Sequence, residues 1–470
     1  MTVEWILTPE RITAATALIA AYVGLCWTIG TKVRKQRAAE QAEAASSQGD
    51  ANAPLMLVAY ASQTGQAEAL ARATTAMLVK SGLQVRLMSV EKLTKDLLTQ
   101  HKHSLWLLST TGEGDAPDHA LGFVQSLMQG PLDLPGHQSL VLALGDHEYQ
   151  QFCAFGSRVH EWLQGSAASS DLVCVDNMNA QQLQAWQTKL MQIVAGLTGT
   201  TADQPDATPA WLQPVTGKKM VLKQRRMLNP GSPGRPLYWL EWTAPSGQLA
   251  DLPQWQSGDL VSLRVPADQD RARDYSIASI PSEGSLQLLV RQSLRADGTP
   301  GIASDWLCQG MAIGDELEIT VRAHSGFRLG ENAQRPLILI GNGSGLAGLL
   351  SHIKARIEQG HSDQWLLFGE RSPQHDALYA DQLQHWLGNG QLARCDRAWS
   401  RNTAEPHYVQ DLLQRHADEI QCWVARGAAI YVCGSLQGMG QGVHAVLQTV
   451  LGEAQLEDLQ RSGRYKRDVY

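Results

Sequence analysis

Short apolar runs alternate with helix-length amphipathic stretches in the first half of the chain and again near its end. Leu55–Ala61 (LMLVAYA) is one such run, the mark of a strand buried in a parallel sheet. A helical stretch, Ala67–Lys80, follows it. Gln84–Ser89, Leu105–Ser109, Leu140–Ala143 and Leu172–Val175 continue as strands with helical segments between them. This alternation predicts a doubly wound α/β domain over 55–197. The pattern then changes. Met220–Gln224, Leu237–Thr243, Leu260–Val265, Asp274–Ala278, Leu286–Arg291 and Glu316–Arg322 read as short strands separated by turns, with a helical piece at Asp305–Cys308. An antiparallel barrel over 217–330 is the expectation. From 331 to 470 the α/β pattern returns, with a buried strand at Leu337–Ile340 and a helix at Leu346–Gln359. Polar stretches, Gln36–Pro54 and the Pro-bearing Thr198–Pro214, read as tethers. The fold class expected is a multi-domain α/β protein with one all-β module.

One further apolar segment stands apart. Ile12–Ile29 carries no charge and is near the lower limit of length for a membrane span. Arg11 precedes it, and Lys32, Arg34, Lys35 and Arg37 follow it. By the positive-inside rule this predicts a single span in the inner membrane, with residues 1–54 as anchor and tether and the rest cytoplasmic. A formal net charge of −7 argues against a nucleic-acid binder. The seven cysteines form no CxxC pair, so neither a zinc site nor a disulfide framework is indicated, and no metal is expected.

Candidate chemistry gathers at turns. Ser62, Gln63, Thr64, Gly65 and Gln66 lie between the first strand and its helix, where hydroxyls, a Gly and backbone N–H groups cradle a phosphate. The loop lacks a Lys, which argues against a triphosphate loop. Thr110, Thr111, Gly112, Glu113, Gly114 and Asp115 follow the third strand. Leu144, Gly145, Asp146, Tyr149, Phe152 and Cys153 belong to the turn after the fourth. All three sit at the strand ends where such sheets bind ligands. In the barrel, Arg273 supplies a fork for a pyrophosphate, Tyr275 a flat cover for a ring, and Ser276 a hydroxyl. Gly301, Ile302, Ala303 and Ser304 open a short helix suited to face that pyrophosphate. Gly343, Ser344 and Gly345 turn the Leu337–Ile340 strand into its helix, a weak dinucleotide signal alone.

Taken in order, these motifs resemble those of the diflavin reductases, whose members include sulfite reductase flavoprotein subunits and NADPH–cytochrome reductases. The resemblance implies a flavodoxin-like FMN domain, a ferredoxin–NADP reductase-like FAD barrel and an NADP domain. It also implies electron flow from NADPH through FAD and FMN to a one-electron acceptor, such as a haem, iron–sulfur or ferric-chelate protein. A sulfite reductase flavoprotein subunit or a siderophore-iron reductase are the alternatives. By this resemblance Ser62–Gln66 take the FMN phosphate, and Tyr149 stacks on its ring. Thr111 stands where the cytochrome reductases carry a second stacking Tyr. Arg273, Asp274, Tyr275, Ser276, Ile277 and Ala278 hold FAD together with Gly301–Ser304. Ser400 and Arg401 meet the 2′-phosphate, with Tyr408 and Gln410 near the adenine. Cys433 sits beside the nicotinamide, Tyr470 covers the flavin face, and Ser276, Cys433 and Asp468 orient hydride transfer. Pro406, Gly348 and Ser435 depart from the family's Lys, Pro and Asp. Few residues separate Gly258 from Arg273, where larger members insert a connecting domain. Glu113, Asp115, Asp118, Asp146 and Glu148 form an acidic rim, expected to dock the basic patch of a redox partner.

Overall fold

A computed structural model of the chain describes residues 54–111, 114–147, 151–166, 168–199, 217–295, 297–401 and 408–470. Three sheets organise them. The first is parallel and runs β1 (Leu55–Ala61), β2 (Gln84–Ser89), β3 (His103–Ser109), β4 (Gln138–Gly145) and β5 (Ser169–Asp176) in the order β2-β1-β3-β4-β5. Alternate residues of β1 face opposite sides. Met56 and Val58 pack with Leu70, Trp186 and Leu190 from the helices Gln66–Lys80 and Ala180–Thr198. Leu57, Ala59 and Ala61 pack with Phe123, Phe155 and Val159 on the other face. Both faces of β1 are therefore dry, which is why its sequence reads as an unbroken apolar run.

The second sheet comprises β6 (Lys218–Met227), β7 (Leu237–Thr243), β8 (Leu260–Val265), β9 (Asp268–Ser276), β10 (Leu286–Arg291) and β11 (Glu316–Arg322). Its order is β10-β7-β6-β11-β8-β9 with antiparallel neighbours. A bridge between Ile277 and Leu288 joins the two outer strands and closes the barrel. Its interior holds Met220, Leu222, Trp242, Val261 and Leu288. The strand expected at Asp274–Ala278 is shifted: β9 begins at Asp268 and ends at Ser276. Hairpin pairing with β8 stabilises the polar residues 268–273 as a strand despite their lack of apolar alternation. The helical piece expected at Asp305–Cys308 begins earlier, at Ile302.

The third sheet is parallel: β12 (Leu337–Asn342), β13 (Gln364–Glu370), β14 (Arg394–Trp399), β15 (Ala429–Gly434) and β16 (Tyr465–Val469), ordered β14-β13-β12-β15-β16. The strand order reverses at β12, so a crevice opens between the ends of β12 and β15, as at other switch points of this kind.

The segment Ile12–Ile29 lies outside the described residues. Among the described residues no helix is long and apolar enough to cross a membrane. The expectation of a single-pass inner-membrane protein is corrected on that finding and on the relatives reported below.

Candidate active site

A cleft of about 960 Å3 lies where the three sheets meet. Its walls come from the barrel (Asp274, Tyr275, Ser276, Ser304), from the third sheet (Ser344, Ser400, Arg401, Tyr408, Gln410, Asp468, Tyr470) and from the first phosphate loop (Gln63, Thr64). Ser276 is the last residue of β9 and Asp468 the fourth of β16. The Ser276 hydroxyl donates to Asp468 Oδ2 at 2.7 Å. Cys433 and Asp468 are register partners on parallel strands, so both side chains leave the same face. The Cys433 thiol donates to the same Oδ2 at 3.5 Å. Burial, with the Asp468 carboxylate beside it, pushes the Cys433 thiol well above its ordinary range. It therefore stays a protonated donor at neutral pH. Gly348 lets the helix Leu346–Glu358 approach this group. A Cβ there would lie 3.2 Å from Cys433 Sγ and 3.1 Å from Phe327.

Tyr470 leans over the same corner. Its hydroxyl is 3.0 Å from Ser344 Oγ, and the residue as a whole is 54% exposed. Its backbone is pinned, with its N–H donating to Gly434 O and its carbonyl accepting from Leu436 N, both at 3.0 Å. The Gly343–Gly345 turn is as tight as chain packing allows: a Cβ on Gly345 would lie 2.1 Å from the Cys433 carbonyl oxygen. Gly343 has φ of 58°, in the left-handed region.

Ser400 and Arg401 follow β14, and their backbone N–H groups donate to Glu370 O and Arg371 O at 2.8 Å. Pro406 lies outside the described residues. Arg235, Arg291 and Arg371 line the cleft as well, and the sequence reading missed all three. Arg291 is bound to Glu370 at 2.5 Å, whereas Arg371 stands at the wall near Ser400. Position directly after a parallel strand was the available signal for Arg371. Arg273 lies outside the cleft walls, with Asp268 at 3.4 Å. Tyr275 is its neighbour in the cleft. Ile277 and Ala278 are buried behind it, and Ser304 hydrogen-bonds Ser293 at 2.8 Å. Gly301 donates to Ser293 O, and Ala303 is buried beside Ile302 in the barrel core.

The first sheet presents its own site. Thr110 and Thr111 carry buried hydroxyls with no hydrogen-bond partner, although the Thr110 N–H is satisfied by Leu144 O at 2.9 Å. Gly114 and Asp115 continue this turn, and Asp115 bridges back to Thr111. Ser62 caps Ala67 N at 3.1 Å, and Gln66 opens the helix. Phe152 stacks on His147 at 3.6 Å, and Cys153 is buried beneath Gly145. Asp146 lies between them in the same turn. Gly112, Glu113, Glu148 and Tyr149 lie outside the described residues. Orphaned hydroxyls beside a phosphate-loop cap fit a ligand rich in hydroxyl and phosphate groups, and FMN is such a ligand. The arginine- and serine-lined cleft with its tight glycine turn fits FAD and NADPH.

The two sites are docked. Arg322 donates to Thr64 O at 3.1 Å, the His324 Nε2–H to Gln63 O at 2.8 Å and Ser325 to Glu68 at 2.9 Å. Gln63 Nε2 donates to both Asp118 Oδ2 and Arg467 O. Arg467, next to Asp468, forms a two-pronged ion pair with Asp118, whose Nε arm is 2.9 Å. Asp118 was expected on a rim open to a partner. It is instead held by Arg467, and only 18% of its side chain is exposed.

The flavodoxin family profile matches residues 58–189, and an oxidoreductase NAD-binding domain profile matches residues 339–445. The chain is similar to the protein named sulfite reductase [NADPH] flavoprotein alpha-component of Bacillus subtilis, 26% identical over 88% of this chain and 89% of that one. Proteins of the same name resemble it in Vibrio cholerae (27%, over 88% and 87%) and Shewanella oneidensis (26%, over 99% and 96%). The two domain profiles in this order, with these relatives, support a diflavin reductase. The chain is an NADPH-dependent flavoprotein reductase with FMN, FAD and NADPH as its cofactors. The alignment with the Shewanella relative runs over 594 positions against a chain of 470 residues, so a long stretch of that relative has no counterpart here. These relatives align over 88% to 99% of this chain.

Proposed function

We propose that this diflavin reductase is the electron-donating component of a two-component sulfite reductase, its acceptor being a haemoprotein. When bound, FAD would supply hydride acceptance from NADPH and FMN would supply single-electron delivery to the acceptor. The protein's part is placement. Asp468 accepts from the Ser276 hydroxyl and from the buried Cys433 thiol, which fixes the carboxylate and the Ser276 side chain at the cleft wall, where a ring would be seated. Tyr470, with its backbone pinned and its ring over Ser344, occupies the place a nicotinamide needs and must swing aside for hydride transfer. Arg401, Arg371 and Ser400 grip the 2′-phosphate, and Arg371 restores the cation lost at Pro406. Thr110, Thr111 and the Ser62–Gln66 loop hold FMN. Arg273 and the Gly301–Ser304 turn belong to the FAD side.

The observation that carries this reading is the cleft that brings Ser276, Asp468 and the Gln63–Thr64 phosphate loop into one space, with the buried Cys433 thiol behind Asp468. The relatives' shared name supports the choice of acceptor. The test mixes the purified full chain with a sulfite reductase haemoprotein component and follows NADPH-dependent sulfide formation. Sulfide production that needs both proteins supports the reading. NADPH oxidation with artificial acceptors but no sulfide with the haemoprotein assigns another acceptor, of which a ferric chelate is the next to assay.

A further inference from the structure

Two cysteines meet behind the third loop of the first sheet. Ala143 of β4 is the register partner of Cys174 in β5, and partners on parallel strands face the same side. That side is the one covered by the helix Ala154–Gly165, because a Cβ on Gly156 would lie 2.3 Å from Ala143 Cβ. Cys153 is the residue on which this helix opens, and its thiol reaches back to the Ala143 carbonyl at 3.2 Å. The two side chains therefore lie on one face, with Ala143 both the register partner of Cys174 and the acceptor of the Cys153 thiol. Cys153 is buried, whereas Cys174 is partly exposed. Cys153 also holds φ of 55°, a left-handed conformation that glycine would adopt at less cost. Its side chain is thus retained against a backbone penalty.

We propose that Cys153 and Cys174 are a redox-active dithiol that closes to a disulfide on reaction with a peroxide. The neighbouring Cys153 holds the Cys174 thiol below its ordinary range, which raises its thiolate fraction, and Cys174 is the more exposed residue of the two. The neighbouring Cys174, and then burial, hold the Cys153 thiol up, so it is the resolving partner. The Cys174 thiolate attacks one peroxide oxygen, the O–O bond breaks, and hydroxide leaves and is protonated to water. The resulting sulfenic acid is attacked by Cys153, the S–S bond forms, and the second water leaves with the Cys153 proton. Two thiols lose two electrons and two protons, and one peroxide becomes two waters. The bridge would tie the base of the loop that carries Phe152 to β5, whose Asp176 already accepts from His147 N at 3.1 Å. The proposal stands on thiol geometry and does not depend on what that loop binds.

The test treats the full chain with one equivalent of hydrogen peroxide, blocks remaining thiols after unfolding, and maps the peptides without reduction. The expected result is a single linked pair containing Cys153 and Cys174, with two of the seven thiols protected and both recovered by dithiothreitol. Cys174→Ser should leave Cys153 fully alkylated after the same treatment. A wild-type Cys153 that remains alkylatable, or a link that instead joins the exposed Cys422, overturns the proposal.

Discussion

Asp468 serves two donors with one carboxylate oxygen, and each donor reaches it from a different strand. Asn at this position keeps the shape but removes the charge that orients both. A charge-assisted bond contributes about 1.5–3 kcal/mol, so Asp468→Asn should lower kcat/KM for NADPH by roughly ten- to 150-fold. FMN and FAD content should match wild type, since stopped-flow reduction is then comparing hydride transfer alone. An unchanged rate would remove Asp468 from the chemistry. A second residue-scale prediction concerns His352, which is fully buried against the rings of Phe327 and Tyr431. Burial holds its pKa down to about 3. The unfolded chain therefore takes up a proton below about 6.5 that the folded protein refuses. Stability is lost as pH falls through this window, at about 1.4 kcal/mol per unit. His352→Leu should lose about 2 kcal/mol less than wild type between pH 7 and pH 5 in urea unfolding. Parallel losses in the two proteins would contradict it. Ser276, Cys433 and Asp468, expected to act together, meet at one carboxylate oxygen. His352 was not legible, because nothing in sequence distinguishes a buried histidine from an exposed one.

At the scale of elements, the glycine turn after β12 is the most constrained piece. Any side chain at Gly345 would drive into the Cys433 backbone, and backbone cannot step aside as a side chain can. Gly345→Ala should cost about 1–3 kcal/mol of stability and raise the KM for NADPH. Gly388→Ala, facing open space at the end of the helix Ala380–Gly388, is the control and should do neither. Thermal unfolding of the two variants side by side decides it, and equal behaviour would mean that the turn relaxes freely. The strands β1, β2, β7, β8, β10 and β11 were legible to the residue, since burial on one or both faces writes itself into apolar spacing. β9 was not. Its residues 268–273 are polar, and hairpin pairing with β8 rather than burial makes them a strand. β4 likewise runs past its apolar centre to Gln138 and Gly145 through ladder bonds alone.

At the scale of the whole molecule, the docked arrangement was invisible in the sequence. Asp118 and Arg467 lie 349 residues apart, and no local pattern links them. Asp118 read as one more acidic residue on a rim. Its pairing with the residue beside Asp468 means that seating the first sheet against the others touches the strand that carries the active-site carboxylate. The pair is only 16% and 18% exposed, so it lies between a weak surface bridge and a costly buried one. Asp118→Arg places two cations face to face and should open the molecule. Small-angle scattering at physiological salt should then give a larger radius of gyration than wild type. An unchanged radius would show that the Arg322–Thr64 and His324–Gln63 contacts suffice alone.

The central claim is that electrons leave by way of the first domain after entering at the third. The direct measurement compares two acceptors, ferricyanide and a cytochrome, in NADPH-driven assays of protein stripped of FMN and then refilled. Cytochrome reduction should fall at least tenfold on stripping and return with FMN, while ferricyanide reduction persists. If both activities fall together, or neither falls, the electrons do not travel through the domain built on β1–β5, and the account is wrong.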